Sequence, residues 1–153
     1  MPQITLHLIN ARGQLADIED WLCERLRDAF AASARLLPLL ETDVIVRAGK
    51  SVIPEKGHLG YAPEKGVICI TIDPEHPALR ANLDMSLERM LAHELHHSAR
   101  WDGPGYGATL GEALVSEGLA GHFAQEVLGG TREPWESLPA SILRPHIPSA
   151  QAD

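Results

Sequence analysis

Cysteine is scarce in this chain, which has two in 153 residues, Cys23 and Cys69, and no CxxC pair. This scarcity excludes the disulfide framework of small secreted domains and the four-cysteine zinc sites. We interpret both cysteines as small buried apolar residues, because each lies within an apolar pattern. A chain of about 150 residues buries roughly 68–70% of its unfolded surface. A metal is therefore not needed for folding alone, and any metal must serve another purpose.

Positive charge is also scarce. Thirteen Lys and Arg against 21 Asp and Glu give a formal net charge of −8 at pH 7, and no stretch of the chain concentrates the basic residues. A protein that follows a phosphate backbone needs a clustered basic surface. We therefore expect no nucleic-acid partner.

Long apolar runs are missing as well. No run approaches the roughly 18 residues of a membrane-spanning helix, and the first ten residues, MPQITLHLIN, lack the basic and then apolar order of a secretory signal. We expect a cytoplasmic protein without a membrane partner. The length and the 44% apolar fraction predict one domain over residues 1–153.

The apolar residues recur with strand and helix periods along the chain. The predicted strands are residues 4–8, 43–47 and 67–72, and the predicted helices are residues 14–37, 86–99 and 109–128. We interpret the stretch 48–66, rich in Gly, Pro and Lys, as a loop, and the Pro-rich segment at about 131–153 as short turns or one brief helix. Because the strands come early and the helices late, we expect an α+β arrangement.

Residues 93–97 read HELHH and contain the pattern HExxH as His93, Glu94 and His97. On a helix, residues four apart share a face, so both imidazoles can reach one ion. Glu94 points about 100° away around the axis, where it can reach a water on that ion. Catalytic zinc keeps three protein ligands and one open position, and lowers the pKa of a bound water to about 7. Glu94 is therefore the candidate general base.

The third ligand must lie elsewhere in the chain. The extended pattern HExxHxxGxxH is excluded, because Arg100 and Gly103 stand at its last two positions. Glu117 is the preferred candidate, since the small residues around it on the next predicted helix would let the two helices approach closely. Glu112 on the same helix is its main rival, and Asp102 in the connector is a weaker one.

Two stretches of the sequence resemble known metallopeptidases. HELHH, followed 20 residues later by the glutamate of SEGLAGHF, resembles the gluzincins, the thermolysin-like class whose third zinc ligand is a glutamate on the following helix. The fuller run, AHELHHSAR and then TLGEALVSEGLAGHFA, resembles a bacterial family of predicted zinc-dependent proteases. The resemblance covers residues 67 to about 128. It implies a minimal zincin-like fold, a small mixed sheet of about three to four strands with an N-terminal helix, an HExxH helix and a following ligand helix.

By this resemblance, His93, His97 and Glu117 bind zinc, and Glu94 is the catalytic base. Thermolysin-like enzymes also carry an acidic residue one turn after the ligand glutamate, where it supports a ligand histidine. This chain has Gly121 at that position. Another group, for which Glu112 is a candidate, must then orient the imidazoles.

A donor beside the metal would stabilise the oxyanion that forms when a peptide carbonyl is attacked. Tyr106, between two glycines in the connector, is the first candidate, and His122 and His146 are alternatives. The strand 67–72 precedes the HExxH helix, as the substrate-aligning edge strand does in zincins. If it is an edge, a peptide can add to it by main-chain hydrogen bonds, whereas its apolar character on both faces favours a central strand.

The leading hypothesis is a small zinc-dependent peptidase whose substrate is a peptide or protein. One alternative is a metal-binding or regulatory module without efficient turnover, and another is a metal hydrolase that acts on a non-peptide amide or ester. An intact Glu94 favours turnover, because a pure binding site needs no base. In 153 residues we expect no second domain that closes the cleft. We therefore expect a shallow substrate site that the segment 48–66, a partner chain or the substrate itself completes.

Overall fold

The computed structural model describes residues 2–152, which form a four-stranded mixed sheet and a set of helices. The strands are β1 (Ile4–Ile9), β2 (Thr42–Ala48), β3 (His58–Glu64) and β4 (Val67–Ile72). The α-helices are α1 (Glu19–Ser33), α2 (Pro77–Ala81), α3 (Ser86–Arg100), α4 (Leu110–Leu128), α5 (Ala140–Leu143) and α6 (Ile147–Ala152). Short 3-10 turns lie at Ala16–Ile18, Leu83–Met85, Pro134–Glu136 and Arg144–His146. This architecture confirms the α+β expectation.

The strand order is β1-β2-β4-β3, with β1, β2 and β4 parallel and β3 antiparallel to β4. β4 is therefore a central strand, as its apolar character on both faces favours, and it is not the edge that the resemblance to zincins suggested. Its apolar character on both faces has a simple cause. Alternate residues from Ile68 to Ile72 are buried under the helices, and those between them are half-buried on the other face.

The edge strands are β1 and β3, and β3 lies within the segment 48–66 that the sequence predicts to be a loop. That prediction is wrong for residues 58–64. The sequence of β3, HLGYAPE, lacks a clear alternation of apolar residues, and it contains Gly60 and Pro63. Proline is tolerated in a sheet at an edge, where its missing N–H faces away from the ladder. Pairing with β4 thus imposes a strand that local pattern does not signal.

One core joins the sheet to α1 and α3. Leucines four residues apart on α3 form its buried stripe: Leu87, Leu91 and Leu95 are each 0% exposed. Burying one such side chain stabilises the fold by about 1.5–3 kcal/mol, so this stripe fixes the rotation of α3 and leaves His93 and His97 on its other side. Cys23 and Cys69 are free and half-buried, less enclosed than expected.

β3 lies very close to α3. A Cβ on Gly60 would overlap Met90 and the side chain of Glu94, so only glycine permits this separation. At one end of β3, His58 Nε2 lies 2.9 Å from the Ser86 hydroxyl. At the other end, Trp101 Nε1 donates to the Ala62 carbonyl at 3.1 Å. The edge strand is therefore attached to the HExxH helix along its length.

Within residues 2–152, no helix has both the length and the apolar character needed to cross a bilayer. The single-domain organisation over residues 1–153 and the cytoplasmic location stay predictions.

The burial of His58 predicts an acid-dependent loss of stability. Burial, and next the charge of Lys56, lower the pKa of His58 from 6.5 to about 4. The pKa of His58 is lower in the folded protein than in the unfolded chain. The contribution of the neutral ring to the free energy of unfolding is therefore fully present above about pH 6.5 and is lost as the pH falls towards 4. At 1.36 kcal/mol per unit it amounts to about 3 kcal/mol. Urea denaturation from pH 7 to 4 should therefore show a shallower decline for His58→Gln than for the wild type.

The matched control for this prediction is Ser86→Ala. It removes the hydrogen bond of His58 but not the burial, so it should lower the free energy of unfolding at every pH and keep the wild-type slope. Equal slopes for His58→Gln and the wild type would contradict the assignment.

Candidate metal centre

Three side chains from two helices meet at one point. His93 and His97 lie one turn apart on α3, and Glu117 faces them from α4. His93 Nε2 lies 3.0 Å from His97 Nε2 and 3.0 Å from Glu117 Oε2, and His97 Nε2 lies 3.3 Å from Glu117 Oε1. The structure thus brings together the two histidines of the motif and the preferred third candidate.

The spacing of these donors fits zinc. Atoms bonded to zinc at about 2.0–2.1 Å in a tetrahedral arrangement lie about 3.3 Å apart. The three donor atoms of this cluster all lie within 4.8 Å of one another, and their closest separations are 3.0–3.3 Å. Two imidazole nitrogens and one carboxylate are also the donor set of a known class of catalytic zinc site. The residues present therefore fit a zinc ion.

The electrostatics of the cluster follow from this proximity. Hydrogen bonds from His93 and then from His97 hold the pKa of the Glu117 carboxyl well below its usual range. Burial opposes protonation of His93, but the Glu117 carboxylate, followed by the charges of Glu94 and Glu136, outweighs it and raises the pKa of His93. A cation at this point, whether a proton or a metal ion, is thus strongly favoured.

Each histidine of the cluster has a neighbour that the sequence analysis missed. The Ser116 hydroxyl lies 3.3 Å from His97 Nδ1, which leaves Nε2 for the metal. Glu136, in the turn Pro134–Glu136, occupies the space beside Gly121, where a Cβ would overlap its carboxylate, and its charge acts on His93. The glycine at position 121, where thermolysin-like enzymes have an acidic residue, is the sequence signal that could have predicted an acidic group from another part of the chain.

Glu112, the rival third ligand and the candidate for orienting the imidazoles, does neither. Its side chain accepts hydrogen bonds from the backbone N–H groups of Ala108 at 2.8 Å and Thr109 at 3.1 Å. In return, the Thr109 hydroxyl accepts from the Glu112 N–H at 3.2 Å. This capping box starts α4. The correction has a physical cause, since a carboxylate at the third helical position is used by the helix terminus.

Glu94 is buried, 8% exposed, and lies against β3. Burial raises the pKa of its carboxyl, while the positive charges of His93 and His97 and a hydrogen bond from the Ala62 N–H act in the opposite direction. Glu94 and the three cluster residues line the same cavity. The carboxylate therefore lies beside the cluster without belonging to it, as the motif predicts.

Tyr106 reaches the cluster from the connector between α3 and α4. Its hydroxyl donates to Glu117 Oε1 at 2.6 Å, and this bond is the main reason that the pKa of Tyr106 is raised to about 12. The flanking Gly105 and Gly107 have positive φ angles of 71° and 111°, which glycine adopts readily. The phenol is therefore a donor already within the centre.

The other sequence candidates lie elsewhere. Asp102 forms an ion pair with Lys65 at 3.5 Å. His122 and His146 are exposed and do not line the cavity. His96, the remaining histidine of the HELHH run, packs against Phe123, with 5.5 Å between the ring centroids.

The cluster opens into a cavity of about 400 Å³. Its walls come from β3, α3, α4 and the C-terminal turn Pro134–Glu136. A cavity of this size next to a candidate metal ligand set is typical of a substrate site.

Comparisons with known proteins give one family and one curated relative. The uncharacterized protein YjfC of Bacillus subtilis (strain 168) is 33% identical over 85 residues, which are 53% of this chain and 27% of that protein. The match thus spans about a quarter of its relative's length. No solved structure matches. Residues 22–150, which contain the cluster, Glu94 and Tyr106, match the family described as "Predicted Zn-dependent protease (DUF2268)", and the chain belongs to that family.

Proposed function

We propose that this protein is a zinc-dependent metallopeptidase of the gluzincin type, in which His93, His97 and Glu117 hold the zinc and Glu94 is the general base. The observation that carries the proposal is the convergence of three donors at 3.0–3.3 Å on a cavity that also contains a buried carboxylate. The family description supports the coarser statement of a zinc-dependent protease. Residues 1–153 act as a single domain on a peptide or protein substrate.

Glu94 moves the proton in this reaction. When bound, zinc acidifies a water molecule and polarises the carbonyl of the peptide. The Glu94 carboxylate takes the proton of the attacking water and delivers it to the amide nitrogen as the C–N bond breaks. Its raised pKa, which is caused mainly by burial, favours this double role because the protonated form is then less costly.

Tyr106 stabilises the negative charge that develops on the carbonyl oxygen. Its hydroxyl is already directed at the centre, where Glu117 accepts its hydrogen bond in the absence of substrate. When a carbonyl oxygen enters, the phenol exchanges one anionic acceptor for another. A donor preorganised in this way lowers the barrier without a large rearrangement.

The substrate binds along β3. This strand is the edge of the sheet on the side of the cluster, and it is held against α3 next to Glu94. An edge strand offers N–H and C=O groups to an added strand, so an extended peptide can pair with it beside the centre. β3 thus takes the role that the sequence analysis considered for β4, and the cleft wall expected from a loop is a strand.

Glu117→Gln should bind zinc about 100-fold more weakly than the wild type, because a neutral amide replaces the anionic ligand. Glu112→Gln is the matched control on the same helix, and it should bind zinc as the wild type does while losing some stability at the helix start. Chelator competition with purified protein measures both affinities. Weaker binding in Glu112→Gln alone would move the third ligand.

Glu94→Gln should retain zinc and lose peptide hydrolysis by about 10²- to 10⁴-fold in kcat, because the amide cannot accept a proton. Metal content and cleavage of a mixed peptide library, followed by mass spectrometry, test both points. Full hydrolysis by Glu94→Gln would remove this residue from the mechanism. Zinc binding by the wild type without cleavage of any peptide would instead favour a binding module or a non-peptide substrate.

Tyr106→Phe should lower kcat about 10²-fold with little change in KM, because the lost donor acts on charge that exists in the transition state. The free energy of unfolding should change little, since the ring is 38% exposed. Steady-state kinetics on one cleaved peptide gives both constants. A change confined to KM would assign Tyr106 to substrate binding.

A further inference from the structure

The cavity has a second end that the proposed chemistry does not use. It is lined by Lys56, which precedes β3, by His58 on β3, and by Arg89 on α3. These side chains are enclosed: that of Arg89 is 6% exposed and that of Lys56 is 21% exposed, and His58 as a residue is 3% exposed. Two cationic side chains in one enclosed space are costly unless anions accompany them.

The anion that the structure places between them comes from the chain itself. Glu133 Oε2 lies 2.8 Å from Lys56 Nζ, and Glu133 Oε1 lies 3.8 Å from an Arg89 terminal nitrogen. Glu133 precedes the turn Pro134–Glu136, and Glu136 Oε2 accepts from the Glu133 N–H at 3.1 Å. The exposed Asp84 also acts on these cations, but it does not line the cavity.

Glu133 does not satisfy all the buried polar atoms at this end. Arg89 Nε and His58 Nδ1 are buried and have no hydrogen-bond partner among residues 2–152. A buried polar atom without a partner destabilises the folded state, and it is a reason to expect a ligand. A carboxylate is the acceptor that suits the Arg89 guanidinium, which binds it with two parallel hydrogen bonds, and Glu133 leaves Arg89 Nε without a partner. The same carboxylate accepts from His58 Nδ1 when the ring proton lies on that nitrogen.

We propose that the end of the cavity formed by Lys56, His58 and Arg89 is a binding subsite for a carboxylate of the substrate, and that Glu133 stands in for it in the free protein. The inference rests on the proposed peptidase function. Arg89 precedes His93 by four residues, about 6 Å along the helix axis. A carboxylate held there therefore belongs to a residue close to the cleaved bond, either as an acidic side chain or as a free C-terminus.

Binding and cleavage of matched peptides test the subsite separately. A library peptide that the wild type cleaves is made with Glu or Gln at each position within three residues of the cleaved bond, always with an amidated C-terminus. A second pair has Gln throughout and either a free or an amidated C-terminus. Calorimetry measures the binding of these peptides to zinc-loaded Glu94→Gln protein, and steady-state kinetics with the wild type measures kcat/KM for their cleavage. The first pair reports a side-chain carboxylate and the second a terminal one.

We expect one carboxylate-bearing peptide to bind about tenfold more tightly than its neutral partner, as for a charge-assisted hydrogen bond. Lys56→Gln should reduce this ratio to about twofold or less and leave the neutral peptide unaffected. Lys56 is chosen because it is less buried than Arg89. Lys65→Gln is the matched control, since Lys65 is 72% exposed and pairs with Asp102 outside the cavity.

Glu133→Gln has the opposite expected effect and separates the subsite from a structural role. If Glu133 stands in for a ligand, its neutral isostere frees the cations and raises the carboxylate preference about tenfold further. If Glu133 serves merely to anchor the C-terminal turn, the variant binds both peptides of a pair more weakly by the same factor, and the proposal is wrong. Equal binding of both peptides of every pair by the zinc-loaded Glu94→Gln protein, in which Glu133 is intact, overturns the proposal as well.

Failure of the subsite and failure of the proposed function remain distinguishable. Cleavage without any carboxylate preference overturns the subsite and leaves the peptidase intact. If the wild type cleaves no library peptide, the pairs are built on a library peptide that the Glu94→Gln protein binds, with the substitution at each position in turn. The absence of cleavage then overturns the peptidase proposal, and a carboxylate preference in that binding still supports an anion-binding cavity.

Discussion

The approach of α4 to α3 is the constraint on which the site depends. It places Glu117 against the two imidazoles of α3, whose Nε2 atoms are 3.0 Å apart. Ala92 on α3 and Ala124 on α4 are buried at this contact, 0% and 4% exposed, and their small side chains permit the close approach. On its opposite side, α3 is fixed by its leucine stripe in the core. Packing on one side of α3 thus fixes the positions of the two histidines on its other side.

The sequence predicts those parts of the structure that are encoded by local period. The bounds of α3, α4 and β4 lie within one or two residues of the predicted ones. These elements are long or uniformly apolar, so the pattern of apolar residues is sufficient to predict them. The HExxH spacing places His93 and His97 on one face for the same reason. Glu117 was preferred over Glu112 from its small neighbours, and the structure directs Glu117 at the histidines.

The sequence could not predict the parts that depend on tertiary pairing. β3 has no alternation of its own and becomes a strand through its ladder with β4. Ser116 and Glu136 are common polar residues, and only their positions in the fold bring them to His97 and His93. Glu112 was misjudged because a carboxylate near a helix start has a second use, the capping of backbone N–H groups.

The missing side chain at Gly121 joins two distant parts of the chain. The Glu136 carboxylate lies beside Gly121, fifteen residues earlier in the sequence, and its charge acts on His93. The cluster of His93, His97 and Glu117 is therefore coupled electrostatically to the C-terminal turn. By thermodynamic linkage, whatever occupies the cluster changes the cost of detaching that turn, and by the same amount detachment changes occupancy. The C-terminal turn is thus an energetic part of the centre rather than an appendage to it.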